Sequence, residues 1–114
     1  MGLVRIRPNG ALDGTFGGGD GKVVRDFGGT EVASSLLRSG RRLLVGGSTN
    51  QEQEQAVWRF RLNGPVTLGF GTGGEAVSNF PTTALGYDIA RYDGRVVVSG
   101  YTTVDMALSR FLLS

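Results

Sequence analysis

The stretch "LVRIRPNGALDGTFGGG", residues 3–19, returns 54 positions later as "VWRFRLNGPVTLGFGTG", residues 57–73. Both copies carry Arg-x-Arg at the end of an apolar segment, then Asn-Gly, then Phe-Gly and a further glycine. Self-similarity at a constant offset of this size is typical of a protein built from repeated supersecondary units. The chain therefore has to be interpreted as repeats before any single motif in it is interpreted.

The repeat extends over nearly the whole chain of 114 residues. One extra residue, Asp20, reduces the offset to 53, which then holds without a gap over residues 21–50. The segment "AVWRF" at 56–60 returns once more as "ALSRF" at 107–111. These matches predict two repeats and the opening strand of a third, at residues 1–56, 57–107 and 108–114.

Each repeat divides into four short strands, because apolar and polar residues alternate between glycine-rich turns. Asp93-Gly94, between two of these strands, suits the positive φ angles of a type I′ hairpin turn. The predicted fold is all-β, with antiparallel four-stranded β-propeller-like blades, as two repeats plus an extra strand. The nine predicted strands are residues 3–7, 22–27, 32–38, 43–47, 57–61, 75–80, 87–92, 96–101 and 107–113.

The segments "RPNGALDGTFGGGDGKVVRDFGG", "LLRSGRRLLVGGST" and "AVWRFRLNG" together resemble the delta-60 repeat, a bacterial repeat family. The second repeat departs from that pattern at Val66-Thr67 and at Phe80-Pro81-Thr82. The resemblance implies propeller-like units and a place in bacterial surface or secreted proteins. It brings no established catalytic activity.

The composition argues against catalysis. The chain contains no histidine and no cysteine, so it lacks the usual general base near neutral pH, a thiolate nucleophile and the commonest zinc ligands. No acidic position is kept in both repeats, so no symmetric pair of carboxylates is expected. We therefore expect a non-enzymatic protein with no catalytic residues, no cofactor and no metal.

Two glycine-rich loops resemble ligand-binding motifs. "GFGTGG" at 69–74 matches the dinucleotide fingerprint, but Thr15 aligns with Gly69, and "EAVSNF" predicts a strand where the fingerprint requires a helix. "FGGGDGKVV" resembles a calcium-binding repeat, but its Asp20 is the inserted residue and the second repeat has no acid there. Both loops are interpreted as turns between strands.

The charge pattern limits the classes of partner. The net charge is +2, and the basic residues are spread along the chain instead of forming a stripe, which argues against nucleic-acid binding. No apolar run approaches the ~18 residues of a membrane-spanning helix. The start "MGLVRIRPNG" has no apolar segment of the kind that marks a signal peptide.

Arginine recurs at one strand position in all three repeats, as Arg5, Arg59 and Arg110. A ladder of guanidinium groups could bind an anion. The favoured interpretation is that each arginine lies along its own blade and pairs with a nearby carboxylate or carbonyl group.

Two repeats are fewer than the four to eight blades of a propeller, and they leave unpaired strand edges. If the chain is complete, we expect it to close a ring with copies of itself, preferably three chains making six blades. The first and last predicted strands, 3–7 and 107–113, then compete for one place. Flanking repeats of a longer chain could supply the missing blades instead.

The predicted function is a structural or interaction module. The alternative is a lectin-like module that binds carbohydrate or another cell-surface ligand. The candidate sugar-stacking residues are Trp58, Tyr87, Tyr92 and Tyr101. Trp58 also aligns with Val4 and alternates with Phe60, a pattern that favours a place in the core.

Overall fold

The computed structural model describes residues 1–50 and 53–113, and in them the protein is all-β with antiparallel sheets and no helix. This confirms the all-β, antiparallel part of the predicted fold. Residues 51 and 52, in the first predicted repeat, and residue 114, at the end of the predicted third, lie outside the described residues. The strands are β1 Gly2–Val4, β2 Lys22–Val24, β3 Val32–Ser39, β4 Arg42–Thr49, β5 Glu54–Arg61, β6 Glu75–Val77, β7 Ala84–Tyr92, β8 Arg95–Thr102 and β9 Met106–Leu112.

The strands form three sheets. The N-terminal sheet has the order β1-β2, the central sheet β3-β4-β5-β6 and the C-terminal sheet β7-β8-β9. The central sheet thus combines the last two strands of the first predicted repeat with the first two strands of the second. The described residues form no closed barrel or propeller.

The strands β3, β4, β5, β7 and β8 have eight or nine residues each. The three-residue strands β1, β2 and β6 adjoin the glycine-rich loops at 5–21 and 62–74. The pairs β3-β4 and β7-β8 run for seven or eight residue pairs each, with a β-bulge at Ser34 in the first and at Tyr87 in the second. β2 and β6 have three residues each and pair only with β1 and β5 in the described chain. A bulge increases the local twist and redirects one side chain, here at two positions 53 residues apart.

The core has two parts, one on each face of the central sheet. Successive residues of a strand point to opposite faces, so Trp58 and Val57 on β5 serve different parts of the core. Towards the N-terminal sheet the buried residues are Val45, Ala56, Trp58 and Phe60, packed against Met1, Leu3, Val23 and Phe27. Towards the C-terminal sheet they are Leu44, Val57, Phe70, Ile89, Val96 and Val98.

The central and C-terminal sheets approach closely at Gly46. A Cβ atom at this position would lie 2.0 Å from Cγ2 of Ile89, well inside van der Waals contact. Glycine therefore lets β4 and β7 pack face to face without an intervening side chain. The central sheet is consequently covered on both faces, whereas the two outer sheets are each covered on one.

Candidate interaction surfaces

Trp58 lies in the core. Its side chain is fully buried, and its Nε1 donates a hydrogen bond to Oε2 of Glu75 at 2.6 Å. Burial raises the pKa of the Glu75 carboxyl, while the bond from Trp58 acts in the opposite direction. Trp58 therefore has no exposed surface for a sugar, in agreement with its alternation with Phe60 and with the apolar character of the aligned Val4.

Two of the three candidate tyrosines come together. The rings of Tyr87 and Tyr101 stack with centroids 5.4 Å apart and 22° between their planes, and their hydroxyl oxygens are 3.1 Å apart. Each ring is about half exposed. Tyr92 lies at the other end of β7, where it pairs with Arg95, and does not join them.

The first arginine of the predicted ladder pairs with a carboxylate. Arg5 Nε donates to Asp13 Oδ2 at 2.8 Å, Arg5 Nη2 donates to Thr15 Oγ1 at 2.7 Å, and the guanidinium lies 4.9 Å from the ring centroid of Phe16. Hydrogen bonds from the Thr15 hydroxyl and backbone amide, with help from Arg5, lower the pKa of Asp13 to about 2. This agrees with the favoured interpretation of Arg5.

The second arginine has no such carboxylate. Arg59 lies over Phe70, 4.8 Å from the ring centroid, and its Nη1 donates to the carbonyl oxygen of Leu113 at 2.5 Å. Its Nε is buried without a partner, and so is Oγ1 of Thr67, the residue that aligns with Asp13. Burial lowers the pKa of Arg59. The ladder is thus formed from unequal sites, and the guanidinium of Arg110 makes no hydrogen bond or ion pair within residues 1–50 and 53–113.

Other features of the described residues are modest. A cleft of about 360 Å³ is lined by Asn50, Gln53, Glu54 and residues 80–83. No group of three or more His, Cys, Asp or Glu side chains in the described chain could hold a metal ion. No helix that is long and apolar enough to span a membrane occurs in these residues either.

The N-terminal sheet has an open apolar face, which we call the N-face. Leu3 and Val23 pack on the central sheet, so their strand neighbours Val4 and Val24 point away from it. An antiparallel bridge between Ile6 and Leu12 extends the same patch. Its four apolar members and their exposed fractions are Val4 56%, Ile6 61%, Leu12 46% and Val24 86%. The exposed Lys22, directly opposite Val4, shares this face.

Every apolar member of the N-face aligns with a residue of the core. The aligned residues are Trp58, Phe60, Val66 and Val77. All four belong to the cluster that the N-terminal sheet covers, and Phe60 forms with Val66 the same bridge that Ile6 forms with Leu12. The N-face therefore corresponds to a surface that is covered in the central sheet.

The C-terminal sheet has the opposite open face, which we call the C-face. Ala107 is buried against the central sheet and Ser109 is bonded to it, so Met106 and Leu108 point away. Tyr101 lies directly opposite Met106 on β8. Its four large apolar members and their exposed fractions are Tyr101 48%, Met106 77%, Leu108 58% and Leu112 64%. The exposed Arg110 lies between Leu108 and Leu112 on this face.

The C-face also aligns with covered positions. Tyr101, Met106 and Leu108 align with Ser48, Gln55 and Val57, each of which is buried between the central and C-terminal sheets. The sequence analysis did not identify either face. The alignment of Val4 with Trp58 shows that Val4 occupies a position that is covered in the central sheet. It indicates an open face only once β3, β4, β5 and β6 are known to form one sheet.

Comparison of the chain with protein-family models, with curated proteins and with solved structures gave no match. The resemblance to the delta-60 repeat stays a prediction, and the function has to be argued from the surfaces described above.

Proposed function

We propose that the chain is a non-enzymatic structural or interaction module of propeller-like repeats that completes its fold with further sheets of the same kind. In this proposal each sheet corresponds to a blade, or to part of one. The missing sheets come from copies of the chain itself, or from flanking repeats where it forms part of a longer protein.

The observation that carries this proposal is the N-face. Four apolar side chains are exposed at positions whose aligned counterparts lie in the core cluster on one face of the central sheet. Fully burying an aliphatic side chain of this size contributes about 1.5 to 3 kcal/mol, so exposure of the whole patch is unfavourable. Contiguous apolar patches of this kind are typical of protein interaction surfaces.

The lack of histidine and cysteine in the sequence supports the non-enzymatic part of the proposal. Two carboxylates with defined contacts have structural roles. Asp13 pairs with an arginine, and Glu75 accepts the indole hydrogen bond.

The number of copies depends on how the terminal strands are used. β1 and β9 align with the same strand of the central sheet, so they fill one place in a four-stranded blade. If one of them gives up that place, each copy supplies two complete blades and three copies supply six, the preferred count. A ring of six lies within the range of propellers.

Light scattering after size exclusion tests the proposal. We expect an integer multiple of 12.0 kDa that persists on dilution to micromolar concentration. A mass of 12.0 kDa at every concentration would contradict self-association.

The stacked pair Tyr87 and Tyr101 favours a second candidate function, lectin-like binding of a glycan. Aromatic rings exposed side by side provide an apolar surface on which a sugar ring can lie. Glycan-array binding that is lost in Tyr101→Ala and kept in Tyr92→Ala would support it, since Tyr92 is exposed but distant from the pair. Loss of binding in both variants, or no binding by the native chain, would count against it.

A further inference from the structure

We propose that the C-face of one copy packs against the N-face of a second copy, head to tail. The inference rests on the proposed function and names the surface through which the copies meet. The occupant of each open face is thus a second copy of the same chain. The argument starts from the contact between sheets inside one chain.

Inside the chain, the central sheet packs on the C-terminal sheet mainly through β3, β4 and β5 against β7, and β5 is also bonded to β9. Ser109 Oγ donates to Oε1 of Gln55 at 2.7 Å, and Nε2 of Gln55 donates to the carbonyl oxygens of Leu85 and Ala107 at 3.0 and 3.2 Å. Beside them, Phe111 packs on the buried cluster that contains Val57. The part of this interface between β5 and β9 therefore contains one polar pair and one apolar contact.

The same positions recur on the two open faces. On the C-face, Met106 aligns with Gln55 and Leu108 aligns with Val57. On the N-face, Val4 aligns with Ser109 and Ile6 aligns with Phe111. In a contact between two copies, the C-face therefore takes the position of the central sheet. The N-face takes the position of the C-terminal sheet.

The residues on the two faces differ from the internal interface in a matched way. Where the internal interface has Gln55 against Ser109, the contact between copies would place Met106 against Val4. Met106 and Val4 are compatible as an apolar contact. A buried amide or hydroxyl facing an apolar group would instead leave a hydrogen bond unmade. Both members of the polar pair have been replaced by apolar residues, as expected if these two positions meet.

When the C-face packs directly on the N-face, every strand keeps its place in its own sheet. β9 keeps its seven residue pairs with β8, and β1 keeps its three with β2. Each copy then contributes three sheets, so two copies supply six, whereas three copies are needed when one terminal strand gives up its place. The contact joins different surfaces of the two copies, so it is heterologous and either closes a ring or continues as a filament.

A mixing experiment tests this arrangement. Val4→Asp places a charge on the N-face and Leu108→Asp places one on the C-face. In a head-to-tail assembly each variant alone is monomeric, because every contact needs both faces. An equimolar mixture forms a dimer with one copy of each variant, since one intact N-face and one intact C-face remain. Light scattering of the variants and native mass spectrometry of the mixture are the measurements.

Leu68→Asp is the matched control, because Leu68 is 63% exposed in the loop between β5 and β6 and belongs to neither face. It should keep the native mass. If Val4→Asp or Leu108→Asp fails to fold by circular dichroism, Ile6→Asp and Met106→Asp replace them on the same faces.

The outcomes separate the inference from the proposed function. If the native chain is oligomeric but only one of the two faces is sensitive to the substitutions, or the mixture stays monomeric, the head-to-tail contact is overturned and the proposed function stands. That result would instead favour exchange of β1 with β9. If the native chain is monomeric at all concentrations, the proposed self-association itself is overturned.

Discussion

Gln55 and Ser109 join two sheets through a side-chain hydrogen bond of 2.7 Å, although 54 residues separate them in the sequence. Gln55 is fully buried, and its amide reaches two backbone carbonyl groups as well. The pair thus satisfies polar groups in an interface that also contains hydrogen bonds from Gly86 N to Ser48 Oγ and from Ser35 Oγ to Asp88 Oδ1. At the aligned open positions, Met106 and Val4, no such pair is present within one chain.

The first prediction transfers this pair to the contact between copies. Met106→Gln alone should weaken self-association roughly tenfold or more, because the amide would face Val4 and lose hydrogen bonds to water. Adding Val4→Ser should restore much of the affinity, since the two residues then reproduce the internal pair. Sedimentation equilibrium of both single variants and of the double variant measures the coupling. Additive losses would show that the two positions do not meet.

The second prediction concerns the unequal arginine sites. Thr67→Asp should place a carboxylate beside the unpartnered Nε of Arg59, as Asp13 stands beside Arg5. We expect the free energy of unfolding to rise by up to about 1 kcal/mol, a value limited by the partial exposure of the guanidinium.

The reciprocal substitution Asp13→Thr should lower the free energy of unfolding, because Arg5 loses its carboxylate partner and its Nε is left unpaired, as that of Arg59 is. Urea denaturation of both variants provides the comparison. A destabilising Thr67→Asp would show that the two sites differ in more than this residue.

The third prediction is a pH dependence carried by Asp13. Its pKa falls from the usual 3.8 to about 2 in the folded chain, so the ionised carboxylate favours the folded state. This contribution is complete above the unfolded value and is lost as the pH falls through about 2. Asp13→Asn should remove it. The difference in melting temperature between native chain and variant should therefore shrink between about pH 5 and pH 2, and a constant difference would contradict the assignment.

The fourth prediction separates the charge of Glu75 from its hydrogen bond. Glu75→Ala should cost about 1 to 3 kcal/mol, because the indole N–H of the buried Trp58 loses its acceptor. Glu75→Gln keeps an acceptor oxygen and removes a charge that burial disfavours.

The raised pKa of Glu75 fixes the sign of its pH effect. Its contribution to stability is present below its usual pKa and is lost as the pH rises through the folded value. Glu75→Gln should therefore be at least as stable as the native chain at neutral pH. Thermal unfolding followed by Trp58 fluorescence checks both variants, and equal destabilisation by the two would contradict this account.

The strand pattern could be predicted from the sequence because alternation and glycine turns are local signals. Each predicted strand coincides with an observed one, although β1, β2 and β6 are shorter. The chain leaves the sheet soon after them, with a positive φ at Gly28 after β2 and at Asn79 after β6. The grouping of strands into sheets is not local. Four strands were predicted per repeat, and the central sheet instead draws two from each.

For the candidate surfaces, too, local features could be predicted from the sequence and features that depend on the assembled sheets could not. The burial of Trp58 followed from its alignment with Val4 and its alternation with Phe60, whereas the stacking of Tyr87 on Tyr101 depends on a β-bulge that no sequence pattern revealed. The open faces could not be recognised before the sheets were known. Whether Met106 is exposed depends on which sheet lies against β9, and that is a property of the assembled fold.

Disulfide trapping of Val4→Cys with Met106→Cys tests the central claim most directly. The chain has no cysteine of its own, so any disulfide must join the introduced residues. A disulfide requires Cα atoms about 4.4 to 6.8 Å apart, and it therefore reports direct contact. After the two variants are mixed and mildly oxidised, the account predicts that the mixed disulfide, identified by mass spectrometry, exceeds either homodimeric disulfide. Homodimeric disulfides alone, or no cross-link in a chain that is oligomeric by light scattering, would contradict head-to-tail packing of the N-face on the C-face.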